Sequence, residues 1–265
     1  MTGDEISNGL NELTEEMRLW EKDSIEPALM SAVFENCCGI LGNNPTGHEV
    51  SEAVATAVAI TEQVWSDIEN ESLAPACEKG CAWCCHQTVM VIAPEVIFLA
   101  GQVDRLFDTA KRSELRARLG RQRKLIEGKT TADRQTNSFA CGVLVDGECS
   151  VHQGRPLLCR GAFSSDAGFC RHLFENFVEV IAAIDSGARE GKFLHTPKIL
   201  FDSAQLGLSK AFQKLGYKCP PLELTAALDI ALSLPDVGDV WLGEESIFAP
   251  AALTKIGNYY VTSSS

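Results

Sequence analysis

At 265 residues, 45% of them hydrophobic, the chain can bury a substantial core, as one large domain or two small ones. Its formal net charge of −13 argues against nucleic acid or an anionic membrane as the main partner, because the average field repels phosphate. The best apolar stretch, 89–101, is interrupted by Pro94 and Glu95, and Met1-Thr2-Gly3-Asp4-Glu5 has neither the basic nor the apolar part of a secretory signal, so a soluble cytoplasmic protein is expected.

In chain order, the first forty residues pattern as two helices. Leu10, Leu13, Met17 and Trp20 recur at helical spacing, and Pro27 suits the first turn of a second helix that runs through Cys38 and stops at Gly39. Turn residues cluster over 42–47; then Val54, Ala57, Val58, Thr61, Trp65 and Ile68 mark one face of a long helix over 50–70. A dense cysteine loop follows, and after it a short β-favouring run at 88–92. Ala93-Pro94-Glu95 opens the next helix, with Val96, Leu99, Ala100, Val103 and Leu106 as its buried stripe. A basic helix over 110–127 turns Leu115, Leu119 and Ile126 inward and stops at Gly128. Between Arg105 and Arg134, ten Lys or Arg stand against four Asp or Glu. Such a face suits an acidic protein partner or an anionic cosubstrate; the commoner use of such a run is a solvated helix surface.

Asp146-Gly147 between short apolar runs signals a β-hairpin with Cys141 and Cys149 near its open ends. Arg155-Pro156-Leu157-Leu158-Cys159-Arg160 makes a rigid corner carrying a thiolate between two guanidiniums. Leu173, Phe177, Val180, Ile181 and Ile184 define one helix, stopped by Gly187. Thr196-Pro197 opens another, with Leu200, Ala204, Leu208, Ala211 and Leu215 inward and Gly216 at its end. Residues 222–234 form a third, ended by Pro235, and the tail is mixed. The expected fold is mainly α: a multi-helix globular domain with a small β-hairpin and an irregular cysteine-ligated metal-binding core. A helical segment (1–72), a cysteine-cluster region (73–175) and C-terminal helices (176–265) pack together as one domain.

Eleven cysteines in a reducing compartment point to metal ligation for the clustered ones rather than to disulfides. The first group is Cys77, Cys81, Cys84 and Cys85, followed by His86; the second is Cys141, Cys149, Cys159 and Cys170. Steps of four and three bring Cys77, Cys81 and Cys84 to one side of a helical turn or tight loop. Cys85 diverges from Cys84, since neighbouring side chains point apart. The doublet therefore serves two metals or a larger cluster, or one of its thiols lies outside the ligand set. Eight thiolates match two four-thiolate sites, or one cluster with reserve ligands, and the list suits both zinc and a 4Fe–4S iron–sulfur cluster. Cys37, Cys38 and Cys219 read as small buried hydrophobes. His86 is a candidate ligand or sulfur hydrogen-bond partner, His152 and His172 flank cysteines, and Arg155, Arg160 and Arg171 lie where they would offset thiolate charge. No Ser-His-Asp signature, acid–base set or phosphate-binding glycine loop is present.

The whole pattern resembles the C-x-x-C-x-x-C-C family of zinc- or iron-chelating domains. The resemblance rests on Cys77-x3-Cys81-x2-Cys84-Cys85, on Cys141-Gly142-Val143-Leu144, and on Cys149-Ser150-Val151-His152-Gln153-Gly154-Arg155-Pro156-Leu157-Leu158-Cys159-Arg160, with Cys170 a short way on. His152 stands where the family has Tyr, and Val151 where it has Ile. The resemblance implies metal binding and extends distantly to flagellin lysine methylases, which use an iron–sulfur site with S-adenosylmethionine. Three functions follow as expectations. The first is a structural or regulatory metal-binding protein. The second is an iron–sulfur enzyme using S-adenosylmethionine, a protein methyltransferase-like activity. The third is a metal-delivery protein that meets its partner through the basic helix.

Overall fold

The computed structural model describes residues 25–72, 74–136, 139–256 and 259–262. The helix expected around Leu10 to Trp20 lies outside them.

Helix α1 (Pro27–Leu41) begins as expected, with proline in its first turn and the Glu26 carboxylate accepting from Ala28 N. It passes through Gly39 and ends two residues later, where Gly42 takes a φ of 55°. Helix α2 (Gly47–Ser72) is the long amphipathic element, and Val54, Ala57, Val58, Thr61 and Trp65 are all buried along it. After the cysteine loop, strand β1 (Met90–Val91) leads into α3 (Ala93–Leu106). Val96, Leu99, Ala100 and Val103 are buried there, whereas Leu106, the last residue of α3, is 42% exposed. Helix α4 (Thr109–Ile126) is the basic helix, capped by the Asp108 carboxylate on Lys111 N and burying Leu115, Leu119 and Ile126. The short α5 (Thr131–Thr136) follows.

Strands β2 (Leu144–Val145) and β3 (Glu148–Cys149) form the expected hairpin; Asp146 and Gly147 turn it with φ of 49° and 80°. One turn of helix, α6 (Leu157–Arg160), carries Cys159. The single helix expected through Leu173 and Ile184 is two, α7 (Ala167–Glu175) and α8 (Phe177–Asp185). They break at Asn176, whose side-chain amide donates back to His172 O at 3.3 Å and competes with helical continuation. Helix α9 (His195–Lys214) is buried nearly all round, including Leu200, Phe201, Ala204, Leu208, Ala211 and Phe212. It crosses α1 closely at Gly207, where a Cβ would meet Met30 O at 2.5 Å.

The helix expected over 222–234 is shorter. Leu222 and Glu223 form strand β4, antiparallel to β1 with Met90 opposite Glu223. Glu223 then caps α10 (Leu224–Ala231) by accepting from Ala226 N at 2.7 Å. Helix α11 (Val237–Gly243), a 3-10 segment (Glu245–Ala251) and a hairpin of β5 (Leu253–Ile256) and β6 (Tyr259–Thr262) complete the chain. Two of the three small sheets were not legible: β1–β4 joins segments far apart in sequence, and the β5–β6 pattern is too short and polar to stand out. One buried apolar cluster extends from Leu29 to Ala251, and a smaller one is built from Phe169, Leu173 and Val180. No helix among the described residues is long and apolar enough to cross a membrane.

Glu95 is 2% exposed and accepts from Ile92 N at 3.0 Å, Leu157 N at 2.9 Å and Gln205 Nε2 at 2.7 Å. Burial pushes its carboxyl above the usual carboxylate range, against the pull of those donors and the nearby Arg160. A carboxyl raised on folding stabilises most below its unfolded pKa, and that stability is lost as pH rises through the raised value. Glu95→Gln leaves one donor facing an amide NH2, so it should lower unfolding free energy by about 1–3 kcal/mol. Urea midpoints measured from pH 4.5 upward should show the wild-type advantage narrowing; an advantage that widens with pH would refute the burial cost.

Candidate metal centre

The first cysteine loop is two tight turns rather than one helical run. Cys81 N donates to Glu78 O at 3.0 Å with Gly80 at a φ of 89°, and residues Trp83–His86 form a 3-10 turn in which Cys85 N donates to Ala82 O at 3.0 Å. Several ties hold the loop, among them an exposed pair of Lys79 with Glu148 at 3.6 Å. Ala76 N donates to Ser164 O at 2.8 Å, just before Cys77. Cys141 N donates to Cys85 O at 2.7 Å. The Phe174 ring on α7 packs against Trp83 at 5.4 Å and His86 at 4.5 Å. The loop is thereby bound to the segments that carry Cys141 and Cys170.

That group is placed by the small elements. Leu144 N donates to Cys141 O at 3.0 Å, and Cys149 pairs with Leu144 across the hairpin. Cys159 rides on α6, whose first N–H is held by Glu95. Cys170 rides on α7, capped by the Asp166 carboxylate on Phe169 N at 3.0 Å. Helix α4 buttresses the Cys141 segment: Arg118 Nε donates to Gly142 O at 2.7 Å, and a Cβ on Gly142 would meet Leu119 Cδ2 at 2.5 Å and Thr225 Cγ2 at 2.9 Å. The basic helix is therefore partly an internal support, with Arg112 paired to Asp104 and Arg123 to Asp229. Lys111, Arg116, Arg121 and Lys124 are exposed on it.

All eight clustered cysteines are free thiols. Burial pushes Cys170 and Cys77 up; Cys81 and Cys84 add to both shifts, and Cys77 adds to that of Cys170. The Cys84 thiol hydrogen bond raises Cys85, with burial and the Cys141 and Cys159 thiols acting the same way. The same hydrogen bond lowers Cys84 to about 7. Burial raises Cys141 to about 12, and raises Cys149 and Cys159 as well. In space the membership differs from the sequence order: Cys170 keeps company with Cys77, Cys81 and Cys84, whereas Cys85 joins Cys141 and Cys159. Cys84 touches both sets, since its charge also acts on Cys149 and Cys159.

Among the described residues, no three His, Cys, Asp or Glu side chains stand in a geometry that would hold a single metal ion. Neutral thiols do not attract one another, and closing a tetrahedron of thiolates takes the cation itself. The donor set nonetheless suits zinc or an iron–sulfur cluster, because soft sulfur is concentrated where deprotonation needs added positive charge. Arg155 supplies part of that charge: it favours the thiolate at Cys77, Cys84, Cys149 and Cys159, and its buried Nε has no hydrogen-bond partner. Arg160 donates to the carbonyls of Arg155 and Gln153 and pairs with the carboxylate of Glu62, and of the thiols only Cys159 is among the groups that act on it. His86 lies against Phe174, His172 contacts Asn176 Nδ2 through Nδ1 at 3.2 Å, and His152 and His48 are exposed. Cys37 and Cys219 are buried as expected, while Cys38 is half-buried.

No family model, curated protein or solved structure matches the chain. The roles of Glu95, Arg118 and Gly142 were not foreseen from sequence. Gly142 directly after Cys141 was the available sign, since a glycine inside an apolar run marks close backbone approach. Gly142→Ala should cost about 1–3 kcal/mol by forcing Leu119 and Thr225 apart, read as a fall in the urea midpoint. An unchanged midpoint would show that this contact is soft.

Proposed function

We propose that this chain is a metal-binding protein that holds zinc or iron–sulfur through two sets of thiolates in a structural or regulatory role, as its resemblance to the zinc- or iron-chelating cysteine-cluster family implies. The observation that carries the reading is that eight free thiols come from 77–85 and 141–170 and that four of them, Cys77, Cys84, Cys149 and Cys159, lie within the field of Arg155. The sets are Cys77, Cys81, Cys84 and Cys170, and Cys85, Cys141, Cys149 and Cys159. Bound there, the metal would supply cross-linking and charge neutralisation.

The placement gives that cross-link a use. Cys85, Cys149 and Cys159 pack against the large apolar cluster, and Cys170 against the small one of Phe169, Leu173 and Val180. Three buried side chains are too few to hold α7 and α8 in place alone. Thiolate ligation across the junction would pin this helix pair to the body.

Anaerobic purification, metal analysis and a visible spectrum test the proposal. Zinc without colour, or brown protein with iron and sulfide, is expected; protein free of both would refute it. Cys170→Ser and Cys141→Ser should each remove about half of the bound metal, because each disables one set of four. Complete loss in both variants would instead mean one larger cluster. Chelation should raise amide exchange in α7 and α8 more than in α1 and α9, and uniform exchange would deny the pinning role.

A further inference from the structure

Beside the thiols, a cavity of about 510 Å³ opens between α2, α3 and the Arg155 corner. Small-molecule sites commonly have volumes of about 300–1,000 Å³. Val58 and Phe98 give it an apolar floor, and Ala55 and Ala59 on α2 leave room that longer side chains would fill.

The polar part of the lining carries two guanidiniums beside Glu62, and the two differ. Arg160 is fully engaged: it pairs with Glu62 and donates to the Gln153 and Arg155 carbonyls. Arg155 lines the same cavity with no ion pair among the described residues, and its buried Nε is unpartnered. One uncompensated guanidinium over an apolar floor recognises a monoanion with a hydrocarbon body. A dianion such as inorganic phosphate would bring a second negative charge beside Glu62, and His152, the other basic group in the lining, is held toward its neutral form by burial and by Arg155 and Arg160.

We propose that this cavity binds a small aliphatic carboxylate, its anionic end on the Arg155 guanidinium and its chain over Val58 and Phe98. The inference stands on the cavity walls and does not require the metal reading. If metal is bound, an anion on Arg155 also draws positive field away from the neighbouring thiolates, so occupancy of the two sites is reciprocally linked.

Calorimetric titration of the full chain as purified, with hexanoate as the probe, tests the inference. Saturable binding about tenfold tighter than that of hexanamide is expected, because the amide keeps the hydrocarbon and lacks the charge. Ala59→Phe should abolish it by filling the groove. Ala59 is exposed on α2, which carries none of the eight clustered cysteines, so metal content should not change. Arg155→Gln should reduce hexanoate to the affinity of hexanamide; should that variant fail to fold, Ala59→Phe carries the test. Absent saturation, equal affinity for hexanamide, tighter binding of inorganic phosphate, or binding that survives Ala59→Phe would each overturn the proposal. Metal analysis of the same samples reports on the metal reading separately, so either can fail without the other.

Discussion

The carboxylate of Glu95 is held by donors from three distant parts of the chain. Ile92 N comes from the start of its own helix, Leu157 N from the turn that carries Cys159, and Gln205 Nε2 from the central helix α9. Burying a carboxylate costs several kcal/mol unless its lone pairs are met, and here meeting them fixes the relative positions of α3, α6 and α9. A second buried acid works in parallel. Glu223 accepts from Arg134 Nη1 at 2.8 Å and from Ala226 N at 2.7 Å, while its backbone pairs with Met90, where the first cysteine loop leaves for α3. The segments that bear thiols are irregular; Val143, Val151 and Leu157 seat them in the core, and these two polar anchors tie the Cys159 turn and the exit of the first cysteine loop to the helical body.

That dependence explains how so little regular structure can present eight sulfurs together. The hairpin has two residues in each strand, and α6 is a single turn. Neither is stable alone, because short elements gain too few bonds for the backbone entropy they lose. Each is instead fixed by contacts with its surroundings: α6 by Glu95 and by Arg160 on Glu62, the Cys141 segment by Arg118 and the close approach of Gly142 to Thr225, and the loop by Cys141 N on Cys85 O and Ala76 N on Ser164 O. A rigid scaffold with polar tethers to short loops is also the arrangement in which side-chain chemistry is most often placed.

Local periodicity made the helices readable. Proline at the first turn of α1 and the inward stripe of Leu115, Leu119 and Ile126 on α4 depend on near neighbours alone, and those expectations hold. The misplaced boundaries were set by longer-range or competing bonds: Asn176 returning to His172 splits α7 from α8, and Glu223 is taken by β1 and by its own cap. For the candidate site, the identity of the eight cysteines was legible because thiols are rare and their spacing is local. Their spatial grouping was not. Cys170 lies 86 positions after Cys84 yet shares its surroundings with the first set, because α7 folds back onto the Trp83–His86 turn through Phe174.

The distribution of charge follows from the same economy. The surface is strongly acidic, with a net −13 over the whole chain, while several arginines are drawn inward. Arg134 and Arg160 are buried against Glu223 and Glu62, and Arg118 supports a carbonyl beside Cys141. Arg155 alone of these four has no acid or carbonyl to itself, and it stands where thiols and cavity meet. Arg155 is half-buried, and its buried, unpartnered Nε carries a desolvation cost that an anion would offset. If the two proposed sites are filled, a metal-held thiolate lies on one side of Arg155 and a ligand carboxylate on the other, and its neutralisation links them energetically.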